Sequence, residues 1–253
     1  MRIGIMQPYF FPYLGYYSLI KNTDKFVLLD SVQYIRHGWI NRNRILKPGE
    51  GWQYITVPLK KKGLNTLIGD MEIDDRQDWK NRILRQLAHY SSRAPFYREA
   101  LSLVESCLDV QTGSIVDLNA YVLTKTCRYL HIPANFDVFS KIGMSLGAMN
   151  GPGDWALKIS KKLQADEYCN PVGGKDLFDV DQFEKNGIKI TFLQNNLRSY
   201  NQGRDGFEAG LSIIDVLMFN DVEAVRYLID DIFLEQPDNR QLFCPTKQET
   251  DEA

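Results

Sequence analysis

The stretch RIGIMQPYFFPYLGYYSLIKNTDKFVLLD, residues 2–30, decides the fold of this chain. Its apolar run at 2–7 predicts a strand, residues 15–24 predict a helix, and the run at 25–30 predicts a second strand. A strand that is apolar throughout is typical of a parallel sheet with both faces buried. A strand, a helix and a strand within about 30 residues make a βαβ unit. The stretch therefore predicts an α/β fold.

The α/β pattern extends along most of the chain. Residues 52–59 alternate and predict a third strand, whereas residues 75–131 carry apolar stripes at helical spacing and predict a helical insertion or cap. Strands and helices then alternate again, and residues 211–234 predict two closing helices. We expect one Rossmann-like domain over 1–235, a mostly parallel sheet with helices on both faces, followed by a disordered polar tail at 236–253.

The composition excludes several classes of protein. The chain has 253 residues, of which 44% are hydrophobic and 25% charged, and its net charge of −2 does not favour binding to nucleic acid. No apolar run approaches the ~18 residues of a membrane span, and the N-terminus lacks the pattern of a signal peptide. We expect a cytoplasmic protein without membrane insertion, and a homodimer stays open. Three scattered histidines and no Cys-x-x-Cys pair predict no metal site.

The loop after the first strand is the first candidate site, because ligands of open parallel sheets bind beyond the carboxyl ends of the strands. Two prolines restrain this loop, and a glycine opens the helix, where backbone amides can face a phosphate. Tyrosine rings can stack on a base or donate hydroxyls. The candidates are Gln7, Tyr9, Tyr13, Gly15 and Tyr16. The alternative is an aromatic plug that only packs the turn.

The segment DSVQYIRHGWINRNRIL, residues 30–46, follows the second strand and is dense in amides, guanidiniums and imidazole. Arg42 and Arg44 suit bidentate contacts with phosphates, and His37 suits a general base. The candidates are Asp30, Gln33, His37, Trp39, Asn41, Arg42, Asn43 and Arg44. The alternative is a solvated polar loop anchored by Trp39.

Two later loops complete the predicted site. NPVGGKD, residues 170–176, follows a short strand, and the backbone of Gly173 and Gly174 can approach a ligand while Lys175 meets a phosphate or carboxylate. SYNQGRDGFEAGLSIIDVL, residues 199–217, follows the last strand of the α/β pattern and can close over a nucleotide or sugar. Its candidates are Tyr200, Gln202 and Arg204. The alternatives are an ordinary turn and a supported helix start.

These segments resemble the WbqC-like family of bacterial proteins. The resemblance is carried by QPYFFPYLGYYSLI, by DSVQY with WINRN, by ADEYCNPVGGKDLFD and by YNQGRDGFEAGLSIIDVL, and it spans roughly residues 1–235. It implies a cytoplasmic role in building or modifying a nucleotide-activated sugar for O-antigen or another surface polysaccharide.

A more distant resemblance bears on the chemistry. The first βαβ unit is similar to that of HxGH nucleotidylyl-transferases such as pantothenate synthetase, in which two histidines bind the phosphates of ATP. Tyr13 and Tyr16 stand at those two places here. The resemblance implies use of ATP and Mg²⁺ to activate a carboxylate, whose acyl group then passes to an amine.

The resulting expectation is a transferase or ATP-dependent ligase that acylates the amine of a nucleotide-linked amino sugar, with glycine as one acyl group. His37 is the expected base, with Asp30 as the alternative, and Asn41, Gln7 and the Gly15 amide are expected to stabilise an oxyanion. Two other functions stay open: a glycosyltransferase-like enzyme, and a sugar-nucleotide-binding protein of O-antigen assembly that performs no turnover.

Overall fold

The computed structural model describes residues 1–149 and 151–237, within which the chain forms eight strands and eight α-helices. The strands are β1 (Arg2–Met6), β2 (Lys25–Leu28), β3 (Arg42–Leu46), β4 (Trp52–Thr56), β5 (Phe136–Val138), β6 (Glu167–Pro171), β7 (Lys189–Asn195) and β8 (Ile232–Glu235). The helices are α1 (Leu14–Lys21), α2 (Trp79–Leu87), α3 (Tyr97–Leu108), α4 (Ile115–Tyr129), α5 (Pro152–Lys162), α6 (Val180–Lys185), α7 (Ile213–Phe219) and α8 (Val222–Asp230).

The predicted α/β fold is confirmed. Six strands form one sheet in the order β5-β2-β1-β6-β7-β8, and all neighbours run parallel except β7 and β8. The βαβ unit predicted from residues 2–30 is β1-α1-β2, with Ile3 of β1 in register with Lys25 of β2.

Both faces of the sheet are buried, as the apolar strands predict. On β2, Phe26 and Leu28 enter the core that contains α1 and α8, whereas Val27 enters a second core formed with α5 and α6. Successive residues of a strand point to opposite faces, so an all-apolar strand supplies both cores. We call the first side the α1 face and the second the α5 face. The helices predicted at 75–131 are present as α2, α3 and α4, and they share the core of the α1 face.

A hairpin lies outside the main sheet. The strand predicted at 52–59 is present as β4, and it pairs antiparallel with β3 in this separate hairpin. The segment 30–46, expected to be a loop, contains β3, in which Asn43 and Ile45 are buried and alternate with less buried arginines. The expected two closing helices are followed by β8, a short edge strand. The predicted disordered tail at 236–253 lies, from residue 238, outside the described residues.

The order of the strands fixes where a ligand can bind. From β1 the chain crosses to β2 on one side, while β6 lies on the other side of β1 and leads outward to β7. Such a reversal leaves a crevice beyond the carboxyl ends of the two central strands, which is the usual ligand position in open α/β sheets. Here that position lies after Met6 and Pro171.

Candidate functional site

A cavity of about 1100 Å³ lies at this crevice. It reaches from the end of β1, at Met6 and Gln7, to the end of β6, at Asn170 and Pro171. Its volume lies slightly above the usual range of about 300–1,000 Å³ for small-molecule sites, which suits an extended ligand with two parts.

The cavity brings together nine of the residues predicted from the sequence. These are Gln7, Tyr9, Tyr13, Gln33, Trp39, Asn43, Arg44, Gly173 and Gly174. They come from the loop after β1, from the segment before and within β3, and from the turn after β6, although these segments are far apart in the chain. The other ten predicted residues do not line it: Gly15, Asp30, Tyr16, His37, Asn41, Arg42, Lys175, Tyr200, Gln202 and Arg204.

The loop after β1 is held rigidly in place. The Asn43 amide donates to the carbonyl oxygens of Phe10 and Phe11 at 3.0 and 2.9 Å, and the Ser212 hydroxyl donates to Phe11 at 2.8 Å. The Asn119 amide on α4 donates to the Pro8 carbonyl at 2.8 Å. Buried carbonyls require such partners, so three distant side chains fix the path of this loop. The aromatic stretch is therefore both a packed plug and a wall of the cavity.

Its tyrosines divide between these two roles. Tyr16 is fully buried and its hydroxyl donates to the Gln7 carbonyl at 2.9 Å, so it supports the loop from below. Tyr9 and Tyr13 are half-buried and line the cavity. Burial raises the pKa of both hydroxyls above the usual value of 10.0, so they present neutral donors. Among the described residues no partner hydrogen-bonds the Tyr9 or Tyr13 hydroxyl or the Gln7 amide, which leaves these groups for a ligand.

Arg44 supplies the positive charge of the cavity. Its guanidinium lies between the indoles of Trp39 and Trp52, at 5.4 and 5.2 Å from the ring centroids, and Nη2 donates to the Gly210 carbonyl at 3.1 Å. Its Nε is buried and has no partner within the described residues. Because solvent does not reach Nε, Arg44 can meet a ligand only through the other nitrogens of the guanidinium.

The residues predicted to be catalytic lie elsewhere. His37 is exposed in a turn outside the cavity. Asp30 is buried and accepts hydrogen bonds from the backbone and hydroxyl of Ser140 at 2.9 and 2.6 Å, which ties the end of β2 to the turn after β5. Asn41 accepts from the Tyr34 hydroxyl and donates to the Val57 carbonyl. Asp30 and Asn41 thus have structural partners, which no local sequence pattern revealed.

Two further cations predicted to bind phosphate are also engaged elsewhere. Arg42 stacks on Tyr54 at 4.0 Å and donates to the carbonyl oxygens of His37 and Gly38. Lys175 forms an ion pair with Glu235 on β8. Of the two arginines of β3, only Arg44 therefore faces the cavity.

The segment 199–217 surrounds a buried carboxylate that the sequence analysis did not assign to the site. Asp215 on α7 is fully buried and accepts hydrogen bonds from Tyr90, Tyr200 and Gln202 at 2.6, 2.7 and 3.0 Å. Burial raises its pKa, and these three hydrogen bonds only partly offset that effect.

The same segment is fixed at its other end. Arg204 donates to the carbonyl oxygens of Gly49 and Gly51 in the turn between β3 and β4. The segment is thus pinned over β3, and its Gly210 carbonyl is the acceptor that holds Arg44.

The wall of the cavity on the α5 face was not predicted from the sequence. It contains ten residues: Ile5, Leu29, Met149, Gly151, Pro152, Trp155, Ala156, Tyr168, Leu177 and Phe178. Gly173 and Gly174 were predicted because a glycine backbone can approach a ligand closely. At Gly174 the close contact is with the protein itself, because a Cβ there would lie 2.3 Å from the Asn170 amide nitrogen.

The lining does not suit Mg²⁺ with ATP. Mg²⁺ in nucleotide sites is usually held by one or two carboxylates besides the phosphates, and a triphosphate needs several cations. The described lining residues offer Arg44 alone and no carboxylate, imidazole or thiol. Within residues 1–149 and 151–237, no group of three or more His, Cys, Asp or Glu side chains is placed to hold a metal ion.

Comparison with known proteins identifies the family of this chain. The model of the WbqC-like protein family matches residues 7–227. The chain belongs to the WbqC-like family. It is also 31% identical over 230 residues to the uncharacterized protein Rv1507c of Mycobacterium tuberculosis (strain ATCC 25618 / H37Rv), a match that covers 90% of this chain and 97% of that protein. No solved structure gives a significant match.

Membership of the WbqC-like family suggests a role in the biosynthesis of polysaccharide or O-antigen. The match contains the loop after β1, β3 and the turn after β6, so every segment that contributes a predicted residue to the cavity lies within it. In the described part of the chain, no helix combines the length and the apolar character that crossing a membrane requires.

Proposed function

We propose that this WbqC-like protein is an enzyme that binds a nucleotide-linked amino sugar in the cavity and transfers an acyl group to the sugar amine. The position of Arg44 carries the proposal. A guanidinium that is the one cation of the described lining, set between two indole rings, suits a phosphate joined to a flat ring system.

In this proposal the ligand lies across the cavity as follows. The diphosphate meets Arg44, and the nucleobase stacks near Trp39, which is itself 36% exposed at the opening of the cavity. The sugar then lies toward Tyr9, Tyr13 and Gln7, whose free hydroxyls and amide suit sugar hydroxyls and an amine.

The cavity also favours the reactive form of an amine. A sugar ammonium must lose a proton before its nitrogen attacks an acyl carbon. Burial disfavours the ammonium form and lowers its pKa. The cavity provides burial between apolar walls and, within the described residues, its lining contains no carboxylate that would stabilise an ammonium. Arg44 is engaged by the diphosphate in this scheme, so desolvation is the effect that replaces much of the work of a general base, a role that no described lining residue fills.

The acyl donor in this proposal is already activated, for example as a thioester. The nitrogen forms a bond to the acyl carbon, the carbon–sulfur bond breaks, and the released thiolate takes up the proton of the amine. Tyr9 and Tyr13, as neutral hydroxyl donors, are available to the oxyanion that forms during the attack. This scheme needs no Mg²⁺–ATP, which the lining does not fit.

A second candidate function is the binding of a sugar nucleotide without turnover. It is favoured by the absence of His, Asp, Glu, Lys and Cys side chains from the described lining, since these groups usually perform acid–base and nucleophilic steps.

Mass spectrometry separates these functions. The protein is incubated with a dTDP-linked 4-amino-4,6-dideoxy sugar and with acetyl or glycyl thioesters; a parallel sample receives ATP, Mg²⁺ and amino acids. A product heavier by one acyl group in the thioester samples is the expected result. Release of free dTDP would instead indicate glycosyl transfer, and binding without any change of mass would support the second candidate.

The matched control is the arginine two residues away. Arg42→Gln removes a guanidinium from the same strand without touching the cavity, whereas Arg44→Gln removes the one that lines it. We expect product formation at subsaturating sugar nucleotide to fall in the Arg44 variant and to persist in the Arg42 variant.

A further inference from the structure

The cavity has two chemically different ends, one on each face of the sheet. Tyr9, Tyr13 and Leu197 belong to the core of the α1 face, and Arg44 is held there by Gly210. Trp155, Ala156 and Phe178 belong to the core of the α5 face. The crevice between β1 and β6 joins the two ends, so a ligand can extend from one face to the other.

The end on the α5 face is apolar and has well-packed aromatic walls. The ring of Trp155 meets Phe139 edge-on at 5.4 Å, and the ring of Phe178 meets Tyr168 edge-on at 5.3 Å. The neighbouring polar groups satisfy one another, because the Tyr168 hydroxyl donates to Asn170 at 2.8 Å and the Asn170 amide donates to the Pro171 carbonyl at 2.9 Å. Within the described residues this end carries no charged side chain.

Apolar side chains continue to the opening of the cavity. Leu177 is 56% exposed, Ile35 is 62% exposed and Leu67 is 40% exposed, and all three line the cavity. Single exposed apolar residues are common on protein surfaces, but a group of them around the opening of a pocket indicates a binding surface for an apolar group.

We propose that the α5-face end of the cavity binds the hydrocarbon chain of the acyl group, so that the enzyme transfers an apolar acyl group rather than an aminoacyl group. This inference rests on the proposed function and specifies its donor. A glycyl group would bring an ammonium next to apolar walls without a carboxylate partner, and burying an unpaired charge is strongly unfavourable. A methylene chain loses only its contact with water there.

Direct binding tests the inference without requiring catalysis. The probes are S-acyl-N-acetylcysteamine thioesters with acetyl, butanoyl, hexanoyl and octanoyl chains, plus the glycyl thioester, titrated calorimetrically into the full chain. We expect affinity to rise about fourfold for each added methylene that is buried, and the glycyl probe to bind more weakly than butanoyl. A flat series, or glycyl binding as tight as hexanoyl, would overturn the inference.

A substitution at the edge of the cavity locates the binding. Gly173 lines the cavity, and a Cβ there would meet no atom within 4 Å, so the backbone at this position has room for the first atom of a Gly173→Leu side chain. We expect it to weaken octanoyl binding severalfold. The matched control is Gly113→Leu, an equally uncrowded and exposed glycine outside the cavity, which we expect to leave the chain-length series intact. Equal effects of both variants would contradict the assignment.

Failure of this inference is distinguishable from failure of the proposed function. Chain-length-dependent thioester binding without acyl transfer would support the apolar end and refute the transferase. Acyl transfer from short or glycyl donors without chain-length dependence would do the reverse. Competition between thymidine and the octanoyl thioester would show that the apolar end holds the nucleobase, which would overturn the inference.

Discussion

The ring of Tyr13 lies directly on the backbone of Gly15. A Cβ at residue 15 would be 2.5 Å from a ring carbon of Tyr13 and 2.9 Å from its hydroxyl oxygen, far inside van der Waals contact. Glycine is therefore required where α1 begins, because it lets the tyrosine fold back over the helix end and present its hydroxyl at the cavity.

Gly15→Ala is expected to displace the Tyr13 ring. Alanine is the better residue in a helix, so the helix itself gains about 0.5–1 kcal/mol. The ring must move, and loss of one hydroxyl contact lowers the affinity for a dTDP-linked amino sugar by about 2- to 10-fold. Titration calorimetry checks the affinity, and Tyr13→Phe provides the comparison. Unchanged binding in both variants would show that Tyr13 only packs the turn.

Asn43→Asp tests how the loop after β1 is held. The Asn43 amide donates to two carbonyls, and its oxygen accepts from the Arg44 amide at 2.8 Å. An aspartate of the same shape cannot donate and would face the Phe10 and Phe11 carbonyls with a charge.

We expect Asn43→Asp to lower the free energy of unfolding by more than Asn43→Ala does, where each buried group left unpaired costs about 1–3 kcal/mol. Urea unfolding followed by circular dichroism measures both. An Asp variant as stable as the wild type would contradict the described hydrogen bonds.

Asp215→Asn tests the buried network over β3. The carboxylate accepts from Tyr90 and Tyr200 hydroxyls, and an amide nitrogen in place of one oxygen would oppose a donor. We expect a loss of about 1–3 kcal/mol for each group left unpaired. The Tyr90 hydroxyl also accepts from the Leu46 amide at the end of β3, so the damage is expected to reach Arg44 and weaken nucleotide binding. Unchanged stability would contradict the network.

The same residue predicts a pH dependence. Burial raises the folded-state pKa of Asp215 above 3.8. The stability that this shift contributes is fully present below the unfolded pKa and is lost as the pH rises through the folded pKa. The unfolding free energy of the wild type minus that of the Asp215→Asn variant isolates the effect of the carboxyl group. We expect this difference to shrink as the pH rises from about 4. A difference that grows with pH would show that the hydrogen bonds outweigh the desolvation.

Sequence periodicity was sufficient for most of the main sheet because β1, β2 and β7 place apolar residues on both faces. The hairpin was missed because Arg42 and Arg44 conceal an alternation whose other members, Asn43 and Ile45, are buried. The alternation of arginines with other side chains along this segment was the sequence feature that could have predicted β3. The edge strand β8 is four residues long and partly exposed, so its sequence is too short to show an alternation of apolar and polar residues.

The sequence predicted which loops form the cavity better than it predicted which side chains line it. Strand ends identify the cavity, since topology brings them to one edge. Residue chemistry alone does not distinguish a ligand contact from a structural one. The Asp30 carboxylate accepts hydrogen bonds from Ser140, 110 residues away. Arg42 stacks on Tyr54 outside the cavity, whereas Arg44, two residues on, lines it. Such partners depend on tertiary packing, which no local pattern records.

The central claim is that Arg44 binds the phosphates of a sugar nucleotide, and titration of dTDP into Arg44→Gln and Arg42→Gln tests it most directly. Hydrogen bonds to charged groups contribute about 1.5–3 kcal/mol, so we predict a 10- to 100-fold loss of affinity for Arg44→Gln. For Arg42→Gln we predict a change of less than about threefold, because the Arg42 side chain does not line the cavity and any effect on a bound phosphate is a long-range, screened one. Equal affinities of both variants and the wild type would contradict the account.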